Sequence, residues 1–342
     1  MIKVGLVVLA TVLGAVLHKF NIPIPWILGG ILAALIVQIV QTDTISWSKK
    51  IRDYALLVIG YGTGRYVDFS ILDVLSGQAI GIVTTTLVSV IACIFVSLCM
   101  TKFQQLDFHS VLMGILPGGF TQMTAMVDDD KRINPNIVTV YQSLRLLTIV
   151  VSVPFMVINF LGASVSNDVA TLTYHGGIPF WLVLPFTLVG AMLFTKLGMA
   201  IPYLLGSIAV AASAALIMGK LNTPPDWLMT IAQLYIGIYV GAGLNVKELK
   251  KIAKTLPAVF AGIGFMLLVS VAFAYFLSDY YGFSLITAFL AMAPGGLAEM
   301  CLTGISTGEN VTIILTYQLF RFLFLNLAVP PAMIKYFGPS EK

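Results

Sequence analysis

Long apolar runs alternate with short polar ones from end to end of the chain. The apolar stretches cover about 2–18, 24–41, 54–67, 78–101, 110–127 and 136–160, and then 179–195, 200–218, 227–244, 256–278, 285–305 and 310–336. Most approach the roughly 20 residues that a helix needs to cross a bilayer. They are rich in Leu, Ile, Val and Ala and lack the alternation of a barrel strand. Backbone groups in hydrocarbon must pair within their own segment, so the pattern predicts helices. The longest polar interval, 161–178, separates two sets of stretches and reads as a linker between 1–160 and 179–338.

The two sets are copies of one another. LPGGFTQM around Pro117 returns as APGGLAEM around Pro294, 177 residues later. Pro25 and Gly29 correspond to Pro202 and Gly206, and Gly60 and Gly64 to Gly237 and Gly241, at that same offset. Tyr141, Gln142, Arg145 and Pro154 correspond to Tyr317, Gln318, Arg321 and Pro330 at an offset of 176, so one residue is lost over the whole stretch. A duplicated apolar chain is the usual construction of a transporter with its site between the copies.

Composition places the chain in lipid. Hydrophobic residues make up 58% of the 342 and charged residues 10%, and the mean hydropathy is +0.97, outside the range of soluble domains. The predicted class is an all-α integral membrane protein of about 10–12 membrane segments, with the bilayer as its surroundings. The first stretch has the form of a signal peptide, but Leu17-His18-Lys19 is a poor cleavage site and the stretch has a counterpart at 179–195, so it is kept in the fold. Cys93, Cys99 and Cys301 lie in apolar stretches without metal or disulfide spacing. No basic arm points to nucleic acid.

The small net charge of +4 carries topological information. After the second stretch the first copy has Lys49, Lys50 and Arg52, where the second has Asp226, Trp227 and Met229. After the third stretch the sign reverses: Asp68 and Asp73 against Arg65 in the first copy, Lys247, Lys250, Lys251 and Lys254 against Glu248 in the second. Since Lys and Arg are retained in the cytoplasm, the copies are expected to be inverted. Inversion needs an odd number of crossings per copy, so one of six stretches should fail to cross, and the Pro-Gly-Gly stretch is the first candidate. A parallel twelve-helix duplication is the alternative.

Candidate chemistry gathers at the same motifs. Breaks at Gly118 and Gly119 and at Gly295 and Gly296 would create new helix N-termini, with positive ends for an anion and carbonyl ends for a cation. The plainer reading is a kink that lets helices pack. Each break is followed by a polar pair, Thr121 and Gln122 in one copy, Ala298 and Glu299 in the other. An ionisable side chain inside the membrane costs roughly 2.5 to 3.5 kcal/mol, so Glu299 is expected to serve a coupling proton or cation, or to pair with an arginine. Tyr141, Gln142 and Arg145, like Tyr317, Gln318 and Arg321, share one helix face. The arginines lie too deep to snorkel, and guanidinium binds carboxylate or phosphate bidentately, which suggests an anionic solute. Bonding to the carbonyls of a broken helix is the structural alternative. Asn326 adds one more interior polar group. The run from Asp128 to Arg132 reads as a solvated loop, and His18, His109 and His175 as interfacial residues.

Taken together, LGAVLHKFNIPIPWILGG, the duplication of about 175 residues, and LPGGFTQM with YQSLRLL answered by APGGLAEM with YQLFRFL resemble the AbrB family of bacterial membrane proteins. That family carries the Gneg-type AbrB duplication and often bears an ammonia-monooxygenase label. The resemblance covers essentially the whole chain. It implies a likeness to cation/proton antiporters and bile-acid-type symporters, with inverted repeats, broken helices, alternating access, a place in the bacterial inner membrane and a tie to regulation of gene expression. It shares only a name with small soluble DNA-binding regulators. Antiporters of that set often carry paired acidic residues on the helix after the broken one; Gln142 and Arg145 stand there in this chain, against sodium/proton exchange.

A monooxygenase would need copper or iron ligands, and the sequence presents no such cluster. The expectation is therefore no enzyme, no cofactor and no metal. It is a secondary transporter of a small organic anion, or alternatively a membrane-embedded sensor acting on gene expression; a homo-oligomer is compatible with either.

Overall fold

The computed structural model describes residues 2–41, 47–104, 106–118, 133–163, 176–243 and 255–328. Among these it is all-helical. Seven helices come from the first half of the chain: α1 (Ile2–Lys19), α2 (Pro25–Gln41), α3 (Lys49–Gly64), α4 (Ser70–Gly77), α5 (Ala79–Gln104), α6 (Phe108–Ile115) and α7 (Pro135–Asn159). Seven come from the second: α8 (Phe180–Lys196), α9 (Pro202–Met218), α10 (Asp226–Gly243), α11 (Leu256–Tyr281), α12 (Leu285–Met292), α13 (Leu297–Ser306) and α14 (Val311–Leu327). The linker positions 164–175 and the 128–132 charge run lie outside the described residues.

The helices begin where the sequence supplies caps. Asp107, Asn134, Ser284 and Asn310 each accept a backbone N–H of the first turn that would otherwise be unpaired. Proline opens α2, α7 and α9, where its missing N–H costs nothing. Two departures from the apolar pattern stand out. Helix α3 starts at Lys49, five residues before its apolar stretch, because its first turn carries a polar face; and α4 is a short helix between stretches.

Among the described residues three helices are long and apolar enough to cross a membrane, Ala79–Phe103, Pro135–Asn159 and Leu256–Tyr281, with shorter apolar helices beside them. The outer surface is apolar too. Val4, Val8, Val12 and Val16 form an exposed stripe along α1, and Leu87, Ile91, Phe95 and Leu98 another along α5. Water penalises such surfaces and lipid does not.

Helices α1, α2 and α3 interlock with α8, α9 and α10. Helix α2 packs on α10 and α1, and α9 on α3 and α8. The contacts are reciprocal at an offset of 177 residues. A Cβ on Gly60 would lie 2.7 Å from Leu204 O and one on Gly237 2.2 Å from Ile27 O; Gly64 and Gly241 meet Ile208 O and Ile31 O at 2.6 and 2.8 Å. These pairings rise together in number, so α3 runs parallel to α9 and α2 parallel to α10. By contrast α3 and α10 are antiparallel: Arg52, near the start of α3, reaches Tyr239 near the end of α10. The other end of α3 brings Tyr61 Oη to Asn222 O, just before α10. Buried hydroxyl and amide groups tie the pairs, with Ser207 Oγ donating to Leu57 O at 2.6 Å and Gln38 Nε2 to Gly241 O at 2.9 Å. Ile24 and Ile201, each preceding a proline that opens a helix, share the left-handed backbone, with φ of 47° and 50°. β-branched residues adopt that conformation only under strain.

The remaining helices make a second layer, in which α5 packs on α6, α11 and α14, and α13 on α3.

Candidate functional site

Helix α12 stops at Met292 because Pro294 follows two residues later and the intervening Ala293 is extended, with ψ of 134°. Gly296 caps the start of α13. The chain then turns back. Ser284 Oγ and Thr287 Oγ1, at the start of α12, donate to the carboxylate of Glu309, just beyond α13, and Asn310 N donates to Thr287 Oγ1 at 3.2 Å. α12 and α13 thus form a hairpin whose ends lie together and whose tip is Pro294-Gly295-Gly296. In the first half, Asn134 N likewise reaches back to Ser110 Oγ at 2.7 Å, joining the start of α6 to the start of α7.

A helix that ends inside a protein leaves carbonyls without partners. Here α14 supplies them. Arg321 Nη1 donates to Met292 O at 2.7 Å and Nη2 to Ala293 O at 2.8 Å, while Gln318 Nε2 donates to Leu290 O at 2.6 Å and to Ala293 O at 3.1 Å. Arg321 also donates to Oε1 of Gln318. Helix α7 repeats the arrangement on α6: Gln142 Nε2 to Met113 O at 2.9 Å and Arg145 Nη1 to Ile115 O at 2.7 Å. Each Gln-x-x-Arg is a clamp on a helix C-terminus, where positive charge also favours the helix dipole. Of the two roles open to the arginines from sequence, the carbonyl-bonding one is present in both halves.

Both clamps border one cavity of about 730 Å³. Pro117, Gly118, Gln142 and Arg145 line it from one half, and Gly295, Gly296, Glu299, Gln318 and Arg321 from the other. Tyr141 and Tyr317 do not line it; both are almost wholly buried, Tyr141 against Gly114 and Tyr317 against Phe283 and Gly81. Gly119, Thr121 and Gln122 lie outside the described residues.

Glu299 occupies the third position of α13, and its carboxylate folds back over the helix start: a Cβ on Gly296 would lie 2.0 Å from Oε2. This is the position from which an acidic side chain satisfies first-turn amides. The positive end of α13 is thus covered by its own carboxylate, which bears on the anion-binding role expected of Gly296. The ion pairs among the described residues are Arg52 with Asp53 and His109 with Asp107, so Glu299 pairs with neither arginine within 4 Å.

Sequence reasoning missed the other wall. Trp47, Lys49, Arg52, Asp53, Tyr203 and Tyr239 line the cavity. Arg52 bonds Asp53, donates to Tyr239 Oη at 3.1 Å and stacks 4.7 Å over that ring. In the sequence Lys49 and Arg52 read only as loop charges. The available signal was that Arg52 and Asp53 fall on the turn leading into an apolar helix.

Comparison with known proteins places the chain. The chain is 25% identical over 344 residues to "Uncharacterized protein YhjN" of Bacillus subtilis (strain 168), covering 93% of this chain and 88% of the relative. It is 25% identical over 338 residues to "Putative regulator AbrB" of Escherichia coli (strain K12), covering 97% and 95%. The family profile described as "Transition state regulatory protein AbrB" matches residues 26–337, nearly the whole chain, and the protein belongs to the AbrB family.

Proposed function

We propose that this protein is a multi-pass bacterial inner-membrane protein that carries a small organic anion through a site between two inverted repeats. The cavity carries the reading. It is bordered by both Gln-x-x-Arg clamps, and among the described residues its lining holds four cationic side chains, Lys49, Arg52, Arg145 and Arg321, against two acidic ones, Asp53 and Glu299. Such an excess in a low-dielectric site favours a negative solute. The inversion is supported by helix direction, since the corresponding helices α3 and α10 run antiparallel while α2 follows α10 and α3 follows α9. The return of Glu309 to Ser284 and Thr287 supports a Pro-Gly-Gly hairpin that enters and leaves by one face, which leaves five crossings per repeat. Glu299, buried and without a cationic partner among the described residues, is the group that would take up a coupling proton or cation. No enzymatic step belongs to this reading.

The test is uptake of labelled carboxylates into proteoliposomes, with and without a proton gradient, in the natural protein and in Glu299→Gln. Saturable uptake driven by the gradient and lost in Glu299→Gln is the expected result. Saturable binding without flux would sink transport and favour a second reading, a membrane-embedded sensor, which the name of the Escherichia coli relative supports.

A further inference from the structure

The two Gln-x-x-Arg clamps look alike in sequence but are not equally satisfied. The Arg321 guanidinium makes three hydrogen bonds, to Met292 O, Ala293 O and Oε1 of Gln318. Arg145 makes one among the described residues, to Ile115 O. Among the described residues its Nε has no partner, and neither does Oε1 of Gln142. Yet Arg145 is only 6% exposed and borders the cavity. A buried guanidinium with most of its donors unused is costly unless an anion completes its shell.

The other cations of the cavity are differently placed. Arg52 is committed to Asp53 and Tyr239, and Lys49 stands exposed at the start of α3. The lining also has apolar residues, Leu56, Leu146, Met199, Leu204, Ile236 and Phe322, beside polar ones such as Ser143 and Gln318. The second buried cation of the lining, Arg321, is committed to Met292 O, Ala293 O and Gln318 Oε1, so Arg145 is the buried cation that offers a ligand unused donors.

Resting on the organic-anion reading above, we propose that Arg145 alone receives the ligand's anionic group, that Arg321 is a structural clamp, and that the ligand is a monocarboxylate with an apolar body rather than a dicarboxylate. A second buried carboxylate would meet Glu299 and an Arg321 already engaged by α12 and Gln318, and a buried charge without a partner costs far more than one apolar contact returns.

Calorimetry on the full chain in detergent, with hexanoate and hexanedioate as probes, tests the assignment. Hexanoate is expected to bind at least about tenfold more tightly, from the burial cost of the extra charge. Arg145→Gln should weaken hexanoate about 100-fold. Arg321→Lys, which keeps the charge beside Arg145, should lower the melting temperature and weaken hexanoate far less than Arg145→Gln does. If Arg145→Gln does not fold, Ser143→Trp, which fills the cavity beside Arg145, should abolish hexanoate binding. Tighter binding of hexanedioate, an unchanged Kd in Arg145→Gln or Ser143→Trp, or loss of binding in Arg321→Lys would overturn the assignment while leaving an organic-anion site standing. Failure of the natural protein to bind either probe would overturn both.

Discussion

Gly237 of α10 lies against Ile27 of α2 so closely that a Cβ at position 237 would sit 2.2 Å from the Ile27 carbonyl oxygen. Gly60 of α3 and Leu204 of α9 repeat the contact at 2.7 Å. The obstacle in each case is backbone, which cannot rotate away. Gly237→Ala and Gly60→Ala are each expected to destabilise the protein by about 1–3 kcal/mol through forced separation of helices. Gly5→Ala and Gly264→Ala, with open space around the new methyl, should be neutral. Thermal unfolding in detergent reads the difference.

The clamp on α12 should matter to stability as well as to the cavity. Arg321→Met keeps much of the side-chain volume but leaves Met292 O without its donor and Ala293 O with only the longer bond from Gln318. A loss of about 2–4 kcal/mol is expected, from buried carbonyls left unpaired. Arg321→Lys should recover part of it, because a single ammonium reaches a carbonyl without reproducing the fork. Equal losses in the two variants would show that geometry is irrelevant there.

Glu309 fastens the open ends of the α12–α13 hairpin by accepting from Ser284 and Thr287. Glu309→Ala should therefore speed amide exchange in the first turn of α12 and the last turn of α13 more than elsewhere. The global cost should be about 1–3 kcal/mol, the scale of hydrogen bonds to a charged acceptor. Uniformly faster exchange would mean that the carboxylate does not act locally.

Topology can be read from single cysteines in a cysteine-free background. Ser48 and Gly243 are exposed at the start of α3 and the end of α10, and Asp68 and Asp226 at the opposite ends. Antiparallel α3 and α10 predict that Ser48→Cys and Gly243→Cys are labelled from one face and Asp68→Cys and Asp226→Cys from the other. From Lys49, Lys50 and Arg52 the first face is expected to be the cytoplasmic one. Labelling of Ser48→Cys and Gly243→Cys from different faces would refute the inverted arrangement.

Much of this protein was legible from residue order. Apolar stretches of membrane length determine helices, a proline followed by two glycines determines where a helix between them must stop, and the 177-residue offset pairs Gly60 with Gly237 before any coordinate is known. Each of these depends on local chemistry, on periodicity or on the proline ring. What only the tertiary structure decided is which polar groups meet. Arg321 finds a carbonyl 29 residues away and Arg52 a tyrosine 187 residues away, and no local rule selects those partners. The same holds for the inequality of the clamps: Arg145 and Arg321 stand in matching sequence, yet one guanidinium makes three hydrogen bonds to α12 and Gln318 while the other keeps Nε unused beside the cavity. Hydrogen bonds of a buried cation are set by the packing of helices around it, and two copies of one motif diverge as soon as their neighbours do.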